Sequence, residues 1–209
     1  MSVVITVAQQ KGGSGKTTLA ANLAAALATS KKVAVLDIDP QHSLSRWHAI
    51  RAARAEAPVA LTFSDTAGWR LAGELERLRR EHDVVLVDSP PVIDSDARRA
   101  IRGADLVVVP VQPSLPDIWA AEGTLKLAAE EKRPACLVLN RVPASSKLRE
   151  ATERELRSRN LIVLPATLGN RAVFSQAFAE GLGVTEAAPK TLAATELRAL
   201  LAAILEIIG

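Results

Sequence analysis

The sequence predicts an α/β fold in which a mostly parallel, twisted sheet carries helices on both faces. The first observation is a series of short runs rich in Val, Ile and Leu, namely Val3–Ala8, Val33–Asp37, Val59–Phe63, Val84–Asp88, Leu106–Pro110, Ala135–Leu139 and Leu161–Leu164. Runs without polar alternation suit parallel strands that are buried on both faces. The second observation is that amphipathic stretches separate them, including Leu19–Ala28, Trp69–Glu81, Ile118–Glu131 and Lys147–Arg159. Strand–helix alternation of this kind is typical of a parallel sheet covered by helices.

Length and composition favour one domain over residues 1–209. The chain has 209 residues, and domains of roughly 100–200 residues are typical. No internal repeat, low-complexity stretch or linker divides it. Aromatic residues make up only 3% of the chain, so the core must be built from Leu, Val, Ile and Ala.

Cysteine usage and hydropathy exclude several classes of protein. Cys136 is the single cysteine, which excludes an intramolecular disulfide and a thiolate metal cluster within one chain. The N-terminal apolar stretch has no basic leader before it, so it reads as a strand rather than a signal peptide. No uncharged apolar run approaches the ~18 residues of a membrane span. We therefore expect a cytoplasmic protein.

The strongest motif lies between the first predicted strand and the first predicted helix. Glycines there let backbone N–H groups converge on phosphate oxygens, and the helix N-terminus adds the positive end of its dipole. Lys16 supplies a mobile cation to the β- and γ-phosphates, and Thr17 places a hydroxyl where Mg²⁺ binds. The predicted cradle consists of Lys11, Gly12, Gly13, Ser14, Gly15, Lys16, Thr17 and Thr18.

This loop departs from the standard phosphate-binding pattern at its start. Gln10 stands where that pattern has glycine, and Lys11 adds a second lysine. The motif resembles the deviant P-loop of the ParA/MinD ATPases, with its extra signature lysine. Four further stretches resemble ParA chains in the expected order: Asp37–Gln41 the first switch, Val84–Pro91 the Walker B strand and second switch, and also Val109–Ser114 and Phe174–Leu182. The resemblance covers nearly the whole chain, is closest to small ParA proteins without an N-terminal helix-turn-helix, and implies a single-domain P-loop NTPase that uses ATP and Mg²⁺.

Three aspartates carry the predicted metal and water chemistry. Asp88 ends a hydrophobic strand beside the loop, where a carboxylate can hold a water ligand of Mg²⁺; the alternative is a cap on the next turn. By resemblance, Asp39 orients or activates the attacking water. Asp37 lies two residues away on the same strand face, and we expect it to support Mg²⁺ or the switch. The alternative for this pair is a plain turn that contains proline.

Two further predictions depend on the resemblance. The Asn140 amide, followed by Arg141, is expected to read the adenine edge, with a plain turn residue as the alternative. Lys11 is expected to reach the phosphates bound by a second subunit, so that ATP joins a face-to-face homodimer. Lys11, Lys16 and Asp39 are therefore the predicted catalytic set.

Basic residues are concentrated between Arg141 and Arg171. This segment holds seven basic and three acidic residues, a net charge of +4, whereas the whole chain has +3. An uneven basic patch indicates a polyanionic partner, although a solvated helix face with Glu/Arg pairs is the alternative. The predicted contacts with non-specific DNA are Arg149, Arg154, Arg157, Arg159 and Lys190.

The leading hypothesis is a switch ATPase that partitions or positions DNA or another large cargo. Its ATP dimer would associate with the nucleoid, and a ParB-like adaptor on the cargo would stimulate slow hydrolysis. A carboxysome or chemoreceptor-cluster positioner is a close variant that stays open. A MinD-like membrane switch needs a basic amphipathic tail, but Leu192–Ile208 carries only Glu196, Arg198 and Glu206 as charges, so we expect a packed core helix. A reductase of the nitrogenase iron-protein type needs bridging cysteines, which one cysteine does not supply.

Overall fold

The computed structural model describes residues 2–56, 59–66, 68–92, 94–144, 146–159 and 161–209. Side chains are described over the same ranges, apart from residues 146–149 and 157.

Six parallel strands form the sheet, in the order β3-β2-β4-β1-β5-β6. Their bounds are β1 Val3–Val7, β2 Val33–Asp37, β3 Thr62–Asp65, β4 Val84–Asp88, β5 Leu106–Val111 and β6 Ala135–Leu139. This confirms the predicted parallel α/β sheet. The four strands β1, β2, β4 and β5 are almost wholly buried, which explains why their sequences show no polar alternation.

Helices connect the strands and follow the last of them. They are α1 Lys16–Leu27, α2 Ser43–Ala52, α3 Leu71–Glu81, α4 Ser95–Gly103, α5 Leu115–Glu130, α6 Ser146–Ser158, α7 Ala172–Ala179, α8 Val184–Ala187 and α9 Leu192–Ile208, with a short 3-10 helix at Gly68–Arg70. Asp94 caps α4 through hydrogen bonds to the backbone of its first turn, and Ser114 caps α5 in the same way. These short polar side chains satisfy backbone donors that the first turn leaves free.

The helices cover both faces of the sheet, as the sequence predicts. Successive strand residues point to opposite faces, so Ile5 joins a core with α1, α2 and α9, whereas Val4 joins a core with α3 and α4. A third cluster packs α5 and Leu156 of α6 against β5 and β6. The helix α9 buries Ala193, Leu197 and Leu200 on its inner face, which confirms the predicted packed helix. No helix in the described ranges combines the length and apolarity needed to cross a membrane.

Two predicted strands need correction. The run Leu161–Leu164 is not a strand: only Val163 pairs, through a single isolated bridge to Leu137 of β6. The run predicted at Val59–Phe63 begins instead at Thr62. The buried Arg51 side chain donates a hydrogen bond to the Val59 carbonyl at 2.7 Å. This carbonyl is therefore bonded outside the sheet.

Candidate functional site

The carboxyl ends of three adjacent strands meet at one edge of the sheet. Val7 of β1 lies opposite Asp88 of β4, and Asp88 lies opposite Asp37 of β2. The glycine-rich loop leaves β1 directly after Val7. Parallel pairing therefore brings the loop and the two strand-end carboxylates together, as expected for a ligand site in an open α/β sheet.

Glycine is required in the loop by its backbone conformation. Gly13 and Gly15 have φ of 76° and 92°, a region that L-residues other than glycine rarely enter. Gly15 is also the N-cap of α1, whose first residue is Lys16. A Cβ at Gly15 would lie 2.5 Å from Nδ2 of Asn140. The loop thus points the N-terminus of a 12-residue helix at the site, which favours an anion.

A pocket of about 250 Å³ opens in front of this helix. It is lined by Gly12, Gly13, Gly15, Lys16, Thr17, Thr18, Asp39, Gln41, Ser43, Pro91, Arg141 and Phe178. Behind it lie three buried polar atoms, Oγ of Ser14 and both carboxylate oxygens of Asp88, which have no hydrogen-bond partner among the described residues. Buried polar groups without partners are uncommon in native proteins and often mark a site for water, an ion or a ligand. These residues therefore fit a phosphate chain with a hydrated Mg²⁺ ion.

Burial dominates the electrostatics of this pocket. It raises the pKa of Asp88 to about 7, from the ordinary value of 3.8. The Thr17 hydroxyl lies near the Asp88 carboxylate and partly offsets this rise in pKa, although the two are not in hydrogen-bond geometry. The positive charge of Lys16 also lowers the pKa of Asp88. Burial also lowers the pKa of Lys16, and the charges of Asp88 and Asp39 partly offset that effect. A cation placed beside Asp88 would therefore stabilise its charged form.

The raised pKa of Asp88 predicts that its ionisation destabilises the free protein. Between pH 3.8 and about 7 the folded state holds a proton that the unfolded state has lost, so stability falls as pH rises through this window and stays lower above it. We expect Asp88→Asn to raise the melting temperature at about pH 8 by several degrees and to have little effect at about pH 5.5, where the carboxyl is already neutral. Mg²⁺-dependent stabilisation by nucleotide should disappear in the variant. Melting curves at both pH values decide this, and an equal shift at both would contradict the assignment.

Asp37 and Asp39 have different surroundings. Asp37 is fully buried; its Oδ1 accepts a hydrogen bond from the Asp39 backbone at 3.0 Å, and its Oδ2 accepts from the backbone and hydroxyl of Ser45. It therefore ties the Asp39 turn to α2. This geometry favours the switch-support role, while contact with Mg²⁺ stays a prediction. Asp39 lines the 250 Å³ pocket in front of α1, which we call the phosphate pocket, and its Oδ1 accepts a hydrogen bond from the Gln41 backbone at 2.9 Å.

A second pocket, of about 280 Å³, adjoins the first. The two share Gly15, Thr18 and Arg141, and the second is completed by Leu19, Asn22, Gln112, Asn140, Leu168, Gly169, Asn170, Arg171, Phe174 and Ser175. Its position beyond the phosphate loop and its aromatic wall suit the base and sugar of a nucleotide. The sequence reasoning missed residues 168–171, 174 and 175 as lining; the only signal was the family-like stretch that starts at Phe174.

Asn140 and Arg141 brace the loop. Nδ2 of Asn140 donates to the Ser14 carbonyl at 2.9 Å, and its Oδ1 accepts from the Arg141 backbone. Arg141, with a φ of 52°, donates to the Gly13 carbonyl at 3.0 Å. Gln112 donates to the same carbonyl at 2.9 Å. Recognition of the adenine edge by Asn140 stays a prediction, since its described bonds hold the loop.

Lys11 does not line either pocket. Its Nζ lies 2.5 Å from Oδ2 of Asp117 in α5. In the single subunit the second lysine of the loop thus points away from the phosphates that its own loop would bind. The other loop residues predicted from the sequence all lie at the phosphate pocket, except Ser14, whose hydroxyl is buried behind it.

The basic segment does not form one surface. Arg141 and Arg171 line the second pocket, and Arg171 pairs with Glu196 of α9 at 2.6 Å. Arg159 pairs with Glu122 and Glu155, so much of its charge is already compensated. Arg154 and Lys190 are exposed, whereas the side chains of Arg149 and Arg157 lie outside the described residues. The net charge of the segment therefore overstates the basic surface available to DNA.

A family model named the CobQ/CobB/MinD/ParA nucleotide binding domain matches residues 5–184. The chain belongs to this family. Among curated proteins, it is 32% identical to maintenance of carboxysome distribution protein A of Halothiobacillus neapolitanus, over 86% of this chain and 85% of that protein. It is 35% identical to the protein of the same name from Gloeobacter kilaueensis, over 88% and 84%. Protein ParA of Rhizobium radiobacter is 36% identical over 62% of this chain and 57% of that protein.

Solved structures share the fold of this chain. Apo McdA of Cyanothece superposes with a TM-score of 0.82 at 20% identity, covering all of both chains. MinD of Pyrococcus horikoshii, complexed with Mg-ADP, gives a TM-score of 0.80 at 19% identity over 100% of this chain and 98% of that one. At these identities the likeness establishes the fold of a ParA/MinD-type domain.

Proposed function

We propose that this chain is a MgATP-dependent switch ATPase that positions a large intracellular cargo. The observation that carries the proposal is the phosphate pocket. A glycine-rich loop, a helix N-terminus and the Lys16 ammonium face it, while Ser14 and Asp88 present buried polar atoms without partners among the described residues. Solved relatives of the same fold carry ATP or Mg-ADP, which supports the choice of ligand.

Each residue of the pocket has a role in this proposal. Lys16 and the loop amides bind the β- and γ-phosphates, while Thr17 and Asp88 would hold Mg²⁺ and its water ligands. When bound, the ion neutralises charge on the phosphates. Asp39 orients the attacking water, and its backbone is held in place by Asp37 at 3.0 Å.

Lys11 makes the ATP state a dimer. Its ammonium points out of its own site, so it is free to serve a second copy once it leaves α5. Each nucleotide is then contacted by both subunits, and hydrolysis weakens the contact. Loss of the γ-phosphate thereby becomes the timing signal that separates the subunits.

The choice of cargo rests on the relatives. The two that match most of this chain are named for carboxysome distribution, which favours a protein compartment as cargo. ParA proteins match a shorter part, so partition of DNA is the second candidate. In both, an adaptor on the cargo stimulates hydrolysis, and nucleoid DNA is the matrix on which the dimer is retained.

The experiment that tests this proposal is DNA retention in different nucleotide states. Random-sequence duplex should retain the protein with ATP and release it with ADP or without nucleotide. A dimer joins the weak basic surfaces of two subunits, and binding of one surface to DNA raises the effective concentration of the other. Retention should fall steeply with salt, since each neutralised phosphate releases counterions. Arg154→Ala should reduce the slope of log affinity against log salt by about 0.9 for each DNA phosphate that the arginine neutralises in the wild type.

Arg80→Ala is the matched control, because Arg80 is an exposed arginine of α3 and its removal changes the net charge equally. Equal retention in all three nucleotide states would contradict nucleotide-gated DNA binding. A separate experiment, co-purification of an adaptor from the native host, would distinguish a compartment cargo from a DNA cargo.

A further inference from the structure

Lys11 neutralises a carboxylate that is almost completely buried. The Asp117 side chain is 1% exposed and that of Lys11 is 40% exposed, with 2.5 Å between Nζ and Oδ2. The Ser114 hydroxyl donates to the same oxygen at 2.5 Å. The other oxygen, Oδ1, is buried without a hydrogen-bond partner among the described residues. Lys11 therefore supplies the cation next to this carboxylate.

Helix capping does not account for this arrangement. Ser114 caps α5 by accepting a bond from the Asp117 backbone, and that bond does not need the Asp117 charge. An aspartate that served only the helix dipole would do so from the surface, where its carboxylate stays hydrated. Here the carboxylate is withdrawn from water and one of its oxygens is left unpaired, which is unfavourable without a cation beside it.

The start of the loop is fixed on the same helix by a second contact. Gln10 packs over Gly123 in the middle of α5, so closely that a Cβ at Gly123 would collide with the Gln10 amide. Two successive loop residues, Gln10 and Lys11, thus rest on α5. The direction of the Lys11 side chain is set by this helix.

We propose that Asp117 is a positioning residue for Lys11. In the free subunit it holds the ammonium against α5 and away from the subunit's own phosphate pocket. Lys11 must leave it before it can contact phosphates bound by a second copy of this chain. This inference rests on the dimer of the proposed function.

The latch formed by Lys11 and Asp117 makes dimerisation depend on the charge of the nucleotide. Moving the ammonium away from the Asp117 carboxylate, which is 1% exposed, is unfavourable because it leaves an uncompensated buried charge. Only a ligand that attracts the ammonium strongly can offset this cost. A triphosphate carries more negative charge than a diphosphate at the position the partner presents, so the latch favours release with ATP over release with ADP.

The test compares Asp117→Asn with wild type in two measurements. The first is acylation of lysine amines in the nucleotide-free protein, read by peptide mass spectrometry as the rate at Lys11 relative to the exposed Lys190. The ratio should rise several-fold in Asp117→Asn and return towards wild type in Asp117→Glu. The second is the protein concentration at which dimers form. That concentration should fall several-fold in Asp117→Asn with a non-hydrolysable ATP analogue, and dimers should also form with ADP.

Asp96→Asn is the control, because Asp96 is likewise a first-turn aspartate, in α4, and pairs with Arg99 instead of Lys11. It should leave both readouts unchanged. If Asp117→Asn does not fold, Asp117→Ser replaces it, since it is smaller and keeps a hydroxyl for Ser114. An unchanged Lys11 ratio in the folded variant, or weaker dimerisation than wild type, overturns the inference. If wild type itself stays monomeric with the analogue, the proposed dimer fails, and the acylation ratio still decides whether Asp117 holds Lys11.

Discussion

Replacing Lys16 with alanine is expected to abolish nucleotide binding and turnover. Lys16 is 6% exposed, and burial lowers its pKa while Asp88 and Asp39 attract its charge. Removing it leaves these carboxylates without their cation and takes the positive charge from the phosphate pocket. Truncating one member of a buried charge pair typically costs about 2–5 kcal/mol in binding, so the affinity for MgATP should fall by about 30-fold to several thousand-fold. Calorimetric titration and phosphate release measure the two effects.

Lys11→Ala provides the matched control for that variant. It also removes a lysine of the loop, but Lys11 lies outside the pocket lining and contacts Asp117. It should therefore bind nucleotide as wild type does. Hydrolysis at the wild-type rate by Lys16→Ala would show that the phosphate pocket has been assigned to the wrong residues.

Replacing Asp39 is expected to stop turnover while nucleotide binding persists. Positioned proton acceptors contribute about 10²–10⁴-fold to rate, so hydrolysis by Asp39→Ala should fall by at least about 10²-fold on the same grounds. The variant should accumulate as the ATP-bound dimer, since the step that ends this state is blocked. Single-turnover phosphate release together with sizing of the ATP-bound protein measures both.

Asp39→Asn separates the charge of this residue from its hydrogen bond. An amide oxygen can still accept the bond from the Gln41 backbone, which lies at 2.9 Å in the structure. If Asp39→Asn is as slow as Asp39→Ala, the charge is what hydrolysis needs. If both variants turn over normally, Asp37 becomes the residue to examine.

The sheet and the phosphate loop could be predicted because their signals are local. Parallel strands buried on both faces must be continuously apolar, and five of the runs predicted from the sequence became β1, β2, β4, β5 and β6 within one residue of their predicted ends. The loop needs glycine at Gly13 and Gly15 because of its positive φ angles. The end of β4 then places Asp88 in register with Val7. The apolar strand runs and the glycines of the loop are each visible in a short stretch of the sequence.

Other parts of the site depend on contacts between distant residues. The pairing of Lys11 with Asp117 joins positions 106 residues apart. Residues 168–171, 174 and 175 reach the second pocket through the chain after β6. The segment from Arg141 to Arg171, with its net charge of +4, does not form a single basic patch, because both of these arginines line the second pocket. The start of β3 was displaced because the Val59 carbonyl bonds to Arg51. None of these contacts has a period or motif that a local reading detects.

We expect ATP, through Lys11, to convert this protein from monomer to dimer. Light scattering coupled to size exclusion tests it most directly, on wild type and Lys11→Ala with Mg²⁺ and either ADP or a non-hydrolysable ATP analogue. We predict a monomer near 22.2 kDa with ADP, a species of twice that mass for wild type with the analogue, and a nucleotide-bound monomer for Lys11→Ala in both conditions. A wild-type monomer under saturating analogue, or a dimer that forms equally well without Lys11, would contradict the account.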